Sequence, residues 1–369
     1  MLIADPNELK PYYACHRVWQ GIPGIVHTKG GRTFVSFYSG NITEAFGNFA
    51  LVLRSDNGTD FGEPVVAAFQ PGDFRCFDPV LWIDPQDRLW FIWNVMPGEE
   101  VYGSICEDPD AAELKWGEPF YIGRGIMMNK PTVISSGQWI FPIAVWKTEI
   151  FNHGRKNGLR ENELAASFVY STADAGKSFT RLGWATVKER TCDEHMVIEL
   201  ADGVLQMLVR TSYGIGASYS YDGGKTWSAG KDSGLGGPNS RFFIRRLRSG
   251  RILLINHVDF TGRNNLTALL SDDDGKTFPH ALLLDARNLV SYPDAMEAED
   301  GYIYITYDRE RGYPKTSLAE AYACAREILT ARITEEDILH GSIVNPGSYL
   351  RNVVSKLGAL SPDDPDPYL

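Results

Sequence analysis

The sequence predicts an all-β chain, a six-bladed β-propeller carrying box hairpins and short C-terminal helices. Three observations predict it: a recurring turn motif, a sixfold strand-turn-strand rhythm, and a composition suited to many short strands. The motif is Ser220-x-Asp222-x-Gly224-x-x-Trp227, repeated as Ser271-x-Asp273-x-Gly275-x-x-Phe278 and Thr172-x-Asp174-x-Gly176-x-x-Phe179. A degraded copy reads Arg54-x-Asp56-x-Gly58-x-x-Phe61. In each, the Asp accepts bonds from turn amides, the Gly permits positive φ and the aromatic plugs the hairpin. Neighbouring complete copies lie roughly 50 residues apart, a period of propellers or arrays.

The rhythm gives the blades. Ile22–Val26 and Thr33–Tyr38 flank a Lys29-Gly30-Gly31 turn and open blade one. Pro79–Ile83 with Leu89–Trp93 opens blade two, and Pro131–Ile134 with Trp139–Val145 opens blade three. Met196–Leu200 with Leu205–Arg210, Phe242–Leu247 with Ile252–Asn256, and Ala295–Ala298 with Tyr302–Tyr307 open blades four to six. Radial repetition of this kind hides sheet edges. The 36 Gly and 20 Pro supply turns, and 9 Trp, 17 Tyr and 18 Phe supply strand-forming bulk.

Two stretches break the rhythm. Lys147–Glu163 reads as a polar loop inserted in blade three, and Ser317–Leu329 reads as helical from its Ala-rich spacing. Thr334 is placed to cap a helix beginning at Glu335. The chain is read as one domain over 1–369, with a C-terminal extension from about residue 334 and a frayed Pro/Asp-rich end at Ser361–Leu369.

Charge and cysteine content narrow the function. A net charge of -11 repels phosphate backbones, and no basic cluster interleaves with aromatics, so no nucleic-acid partner is expected. No apolar stretch reaches the ~18 residues that span a membrane. The five cysteines are odd in number and lack CxxC spacing, which argues against a zinc site or disulfide framework. The expected compartment is a reducing cytoplasm, since the N-terminus shows no basic segment leading into an apolar run. No cofactor or metal is expected.

In a propeller the first strand of each blade lines the axis, and the loops entering those strands surround one mouth. Five of the six entries carry ionisable residues: Asp78, Lys130, Asp193-Glu194-His195, Arg241, and Tyr292 with Asp294. Arg245, Arg246 and Arg248, further along, read as a solvated strand face.

The boxes and blade layout resemble the sialidase (neuraminidase) superfamily across nearly the whole chain, closest to its BNR-repeat group and best matched from about Cys192 to Arg311. The resemblance implies roles. Asp193-Glu194-His195-Met196 followed by Arg210 is similar to the stretch carrying the family's activating Glu and a carboxylate-binding Arg. Ser291-Tyr292-Pro293-Asp294 is similar to the segment carrying its nucleophilic Tyr, and Arg263 is placed like another arginine of its triad. The family's first triad Arg sits in a Tyr/Phe-Arg-Ile-Pro motif; here Gln20-Gly21-Ile22-Pro23 puts Gly21 in its place. Glu44 stands nearest to the family's acid/base Asp.

The chemistry expected is hydrolysis of an acidic or decorated glycan. Tyr292 would attack as Glu194 takes its proton. Asp78, Glu44 or His195 would protonate the leaving oxygen, with Arg210, Arg263, Arg241, Lys130 and Asp294 around the substrate. Two other functions fit the same residues: a polysaccharide lyase acting on uronates, and a glycan-binding propeller without catalysis.

Overall fold

The structure, a computed structural model, describes residues 1–146, 163–311, 317, 319 and 323–357. Six antiparallel sheets stand in a ring, one per predicted blade. Their innermost strands are Trp19–His27, Arg75–Ile83, Thr132–Val133, Met196–Glu199, Phe243–Arg246 and Val290–Glu297. Each second strand is buried on both faces between neighbouring blades, which is why Leu89–Met96 and Trp139–Ala144 are almost wholly apolar. Between blades two and three the seam is aromatic, with Trp82 edge-on to Trp139 at 4.9 Å.

The boxes close as their chemistry demands. Asp222 Oδ1 accepts from the backbone amides of Lys225 (3.1 Å) and Thr226 (2.9 Å), and Ser220 Oγ accepts from Gly224 N at 2.8 Å. Asp273 and Asp174 repeat this pattern. The blade-one copy differs from its sequence reading. Asn57, not Asp56, accepts from the turn amides, and Ser55 Oγ takes Gly58 N at 2.9 Å, in a turn one residue shorter. Asp56 instead pairs with Arg32 and Arg54.

Blade six needs two further corrections. Glu327–Ile333 is its third strand and residues 323–326 are not helical, so the helical reading of Ser317–Leu329 fails over that part; residues 318 and 320–322 lie outside the described residues. Near-complete burial of this strand, paired with the second, overrode local helix propensity. The stretch read as a C-terminal extension supplies the fourth strand, Tyr349–Lys356. Between these strands Glu335–His340 forms the expected helix, with Thr334 and Asp337 in a reciprocal capping box. The loop expected at Lys147–Glu163 lies outside the described residues except for Glu163, which pairs with Arg124 at 2.8 Å. The frayed end expected at Ser361–Leu369 also lies outside them.

Blade six is built wholly from the C-terminal part of the chain, and the N-terminal strand Leu2–Ile3 joins the outer edge of blade one. Side chains therefore close the seam between the two. Gln20 Nε2 donates to the carbonyls of Arg326 (2.6 Å) and Ser355 (3.2 Å), while the Arg326 guanidinium reaches Val18 O and Leu357 O.

The feature that positions the site is a repeated bulge. In blades one, two and six the first strand carries one extra residue against the second, between Gly21/Gly24, Phe77/Val80 and Ser291/Asp294. Blade four repeats it just before its strand: Asp193 O takes Arg210 N, and Met196 then faces Leu208. The bulges put Ile22 (φ 57°), Asp78 (44°), Glu194 (42°) and Tyr292 (56°) in the left-handed region, and in blade four Asp193 (52°) as well. Such a kink re-aims a side chain away from the strand's own alternation.

Candidate active site

Ile22, Asp78, Glu194 and Tyr292 line one cavity of about 380 Å3 at the mouth of the pore. Glu44, Arg75, Arg210, Arg263 and Arg311 complete its polar wall, and Met128, Trp146, Cys192 and Leu289 its apolar one. Asp78, Glu194 and Tyr292 are each no more than 5% exposed.

The centre is a three-way contact. Tyr292 OH donates to Glu194 Oε1 at 3.2 Å and accepts from Arg210 Nη1 at 3.1 Å. Arg210 Nη1 also bonds Glu194 Oε1 at 2.6 Å, and its Nε is held by Asn239 Oδ1 at 2.7 Å. Two more guanidiniums flank the phenol ring, Arg311 at 4.3 Å and Arg263 at 5.3 Å from its centroid. Burial, and after it the nearby Glu194 charge, raises the Tyr292 pKa, so the resting phenol is neutral.

Asp78 is in the opposite condition to a surface carboxylate. Burial, reinforced by Glu44 and Glu194, pushes its pKa up to about 8 against the opposing pull of Arg75 and Arg311. Its Oδ1 has no hydrogen-bond partner among the described residues, and neither has Glu194 Oε2. Two buried carboxyl oxygens left unmet beside a cavity are what a polar ligand satisfies. Cys192, raised to about 12 by burial, stays a thiol.

The sequence-predicted residues divide in two. Tyr292, Glu194, Asp78, Glu44, Arg210 and Arg263 share the cavity. His195, Lys130, Arg241 and Asp294 do not line it. His195 points into blade three, where its Nε2 meets Phe168 O at 2.7 Å, and burial lowers its pKa to about 4. Lys130 pairs with Asp294 across the axis, and Arg241 joins them at 3.4 Å while bonding Asn129 Oδ1 at 2.8 Å. The physical reason is the bulge: Asp294 lies two positions past Tyr292, where the strand has resumed its pairing, and it faces the pore interior.

Arg75 and Arg311 escaped the sequence reading. Arg75, on the blade-two inner strand, stacks on Phe77 at 4.1 Å. Arg311 follows the second strand of blade six and lies 3.5 Å from Asp308 and 3.8 Å from Glu44. A Cβ built on Gly21 would stand 2.2 Å from Arg311 Cδ. The glycine thus opens the space that Arg311 fills, and a guanidinium from blade six occupies the flank of the mouth left empty by blade one. Gly21→Ala should cost about 1–3 kcal/mol through overpacking and push Arg311 off the Tyr292 ring. Thermal denaturation and a crystal structure of the variant check this; an unmoved Arg311 refutes it. One local signal did mark the bulges: Ile22-Pro23, Asp78-Pro79 and Tyr292-Pro293 share a residue-proline step, with His195 in the proline's place in blade four.

Box hairpins on blades one, three, four and five, at the end of the sheets opposite such a mouth, define a sialidase-like propeller. Residues 48–305 match the BNR repeat-like domain, and the chain belongs to that family. Solved structures agree on the fold. The intramolecular trans-sialidase from Ruminococcus gnavus is 13% identical, with a TM-score of 0.63 over 89% of this chain and 96% of its own. The NanB sialidase from Streptococcus pneumoniae is 12% identical, with a TM-score of 0.63 over 82% of this chain and 66% of its own. An α-L-arabinanase from Penicillium chrysogenum is 11% identical, with a TM-score of 0.56 over 87% and 94%. No functionally curated protein matches the sequence.

Proposed function

We propose that the protein is a glycoside hydrolase that releases an acidic sugar from a glycan. The observation that carries this reading is the Tyr292 hydroxyl held between Glu194 and Arg210. A neutral phenol can approach an anomeric carbon that bears a neighbouring carboxylate without charge repulsion. As the leaving group departs, Glu194 takes the phenol proton and the Tyr292 oxygen bonds to the sugar. Sialidases use such a tyrosine rather than a second carboxylate. Asp78, holding its proton up to about pH 8, donates it to the departing oxygen, and its carboxylate then draws a proton from the water that frees the sugar. Glu44 stands by Arg311 and Arg75 and shapes the same wall.

Charge supports an anionic substrate. Four guanidiniums, from Arg75, Arg210, Arg263 and Arg311, surround three carboxyl groups, one of them neutral. Arg210, Arg263 and Arg311 meet around Tyr292 and can clamp one carboxylate. Sialosides head the list of substrates, because two of the structural relatives are sialidases or trans-sialidases; uronate-terminated glycans follow.

The test is a panel of acidic and neutral glycans incubated with the protein and read by mass spectrometry, with Glu194→Gln as control. Release of an acidic monosaccharide, lost in the control, is the expected result. An unsaturated product absorbing in the ultraviolet would replace hydrolysis by elimination, and saturable binding without any product would leave a glycan receptor.

A further inference from the structure

We propose that the rear mouth of the pore, on the face opposite the active-site cavity, is a second binding site for an oxyanion, centred on Arg245 with Arg248 beside it. This goes beyond the proposed hydrolysis and does not depend on it.

The rear mouth is ringed by the turns that follow the six inner strands. Two cavities open there, of about 430 and 240 Å3, and both are lined by Val133 and Arg245, so they meet at that pair. Between them they draw on all six blades. Arg245 was expected to lie on a solvated strand face, but the ring turns it inward. Its Nη1 donates to Pro131 O at 2.8 Å, so the side chain reaches from blade five to blade three across the axis.

The other charged groups at this mouth have polar partners. Lys29 is held by Asp87 at 2.8 Å and Glu299 at 3.2 Å, Arg246 pairs with Asp274, and Glu199 accepts from Ser135 Oγ at 2.6 Å. Arg245 and Arg248 have no carboxylate partner within 4.0 Å among the described residues. Arg248 Nη1 meets only the carbonyl of Ala298, at 2.9 Å. Behind Arg245, the pore interior holds Lys130 and Arg241 against the single carboxylate of Asp294.

Lys130, Arg241 and Arg245 stand along the axis with Asp294 as the one carboxylate within 4.0 Å of any of them among the described residues, and cations withdrawn from water are seldom left without an anion. Burial lowers the Lys130 pKa to about 8 against the opposing pull of Asp294, with a smaller repulsion from Arg241 and Arg245. An oxyanion seated on Arg245 and Arg248 supplies the anionic partner that these two guanidiniums lack. The smaller cavity, shared by both arginines, admits a sulfate or phosphate group, free or carried on a small sugar; its wall also holds three carboxylates, of which Asp84 is paired with Arg88, and Asp87 and Glu299 with Lys29.

The test combines location with affinity. Crystals soaked in selenate should show anomalous density within hydrogen-bond reach of the Arg245 guanidinium. Density confined to the active-site cavity, or none, overturns the proposal. In solution, sulfate replacing chloride at fixed ionic strength should raise the melting temperature saturably. Arg245→Met should weaken that binding about tenfold or more, the loss of one charge-assisted pair, with Arg248→Met as the second variant should the first not fold. A saturable response kept in both variants and lost in Arg263→Met places the anion at the front and refutes the site. Glucose 6-sulfate runs as a parallel arm: affinity equal to sulfate identifies a free oxyanion, and tighter binding identifies a sugar-borne one.

Discussion

Tyr292→Phe is expected to remove turnover of the acidic glycan, by at least about 10³-fold in kcat, while the propeller stays folded. The substitution deletes one oxygen. Arg210 and Glu194 keep their 2.6 Å bond to each other, so the mouth retains its charges and its shape. The lost phenol bonds are worth about 1 kcal/mol of stability, and the ring still packs under Arg311 and Arg263. Substrate binding should persist, because the guanidiniums that would hold the carboxylate are untouched. Kinetics and thermal denaturation of the purified variant check both halves. Near-normal kcat in a folded Tyr292→Phe protein would eliminate the tyrosine as nucleophile.

Asp78→Asn should lower kcat by roughly 10²–10⁴-fold on substrates with poor leaving groups, and far less on an aryl glycoside whose departing oxygen needs no proton. The pH profile gives the sharper reading. With a pKa of about 8, native Asp78 supplies its proton up to that pH, so the alkaline limb of kcat should fall near pH 8 in the wild type. If the same limb remains in Asp78→Asn, another group sets it.

Stability carries the same signature. The native Asp78 carboxyl keeps its proton where the unfolded chain, with a carboxyl near 3.8, has lost it. Ionisation therefore favours the unfolded state, and this contribution makes the protein less stable as pH rises from about 4 to about 8. The slope is at most about 1.4 kcal/mol per pH unit. Glu99 and Asp193, raised by burial to about 7 and about 6, contribute slopes of the same sign, so urea denaturation at several pH values should show a slope in the wild type that is reduced, by up to about 1.4 kcal/mol per pH unit, in Asp78→Asn.

Much of the propeller was legible in the sequence because its signals are local. A box needs only a Ser or Thr, an Asp and a Gly within a few residues, and the six strand pairs are adjacent in the chain, so their count needs no long-range knowledge. Local reading failed where the determinant was not local. Glu327–Ile333 has helical neighbours in composition but pairs as a strand. The degraded box of blade one slid by one residue because an Asn can stand for the Asp.

By itself the sequence determined the blade count, the box turns, the capped helix at Thr334 and the meeting of Glu194, Arg210 and Tyr292 at one mouth. Only the tertiary structure decided which ionisable side chains enter the cavity and which close the pore behind it. A single extra residue in an inner strand rotates Asp78 or Tyr292 toward the mouth, while Asp294, two positions later, turns to Lys130 and Arg241. It also decided that Arg311 fills the space beside Gly21, a contact between residues 290 positions apart in the chain that no periodicity can foretell. Alternation along a strand follows from the pleat and can be read from the sequence. The placement of a bulge, and what faces it once the ring has closed, follows from packing among blades that are distant in the sequence.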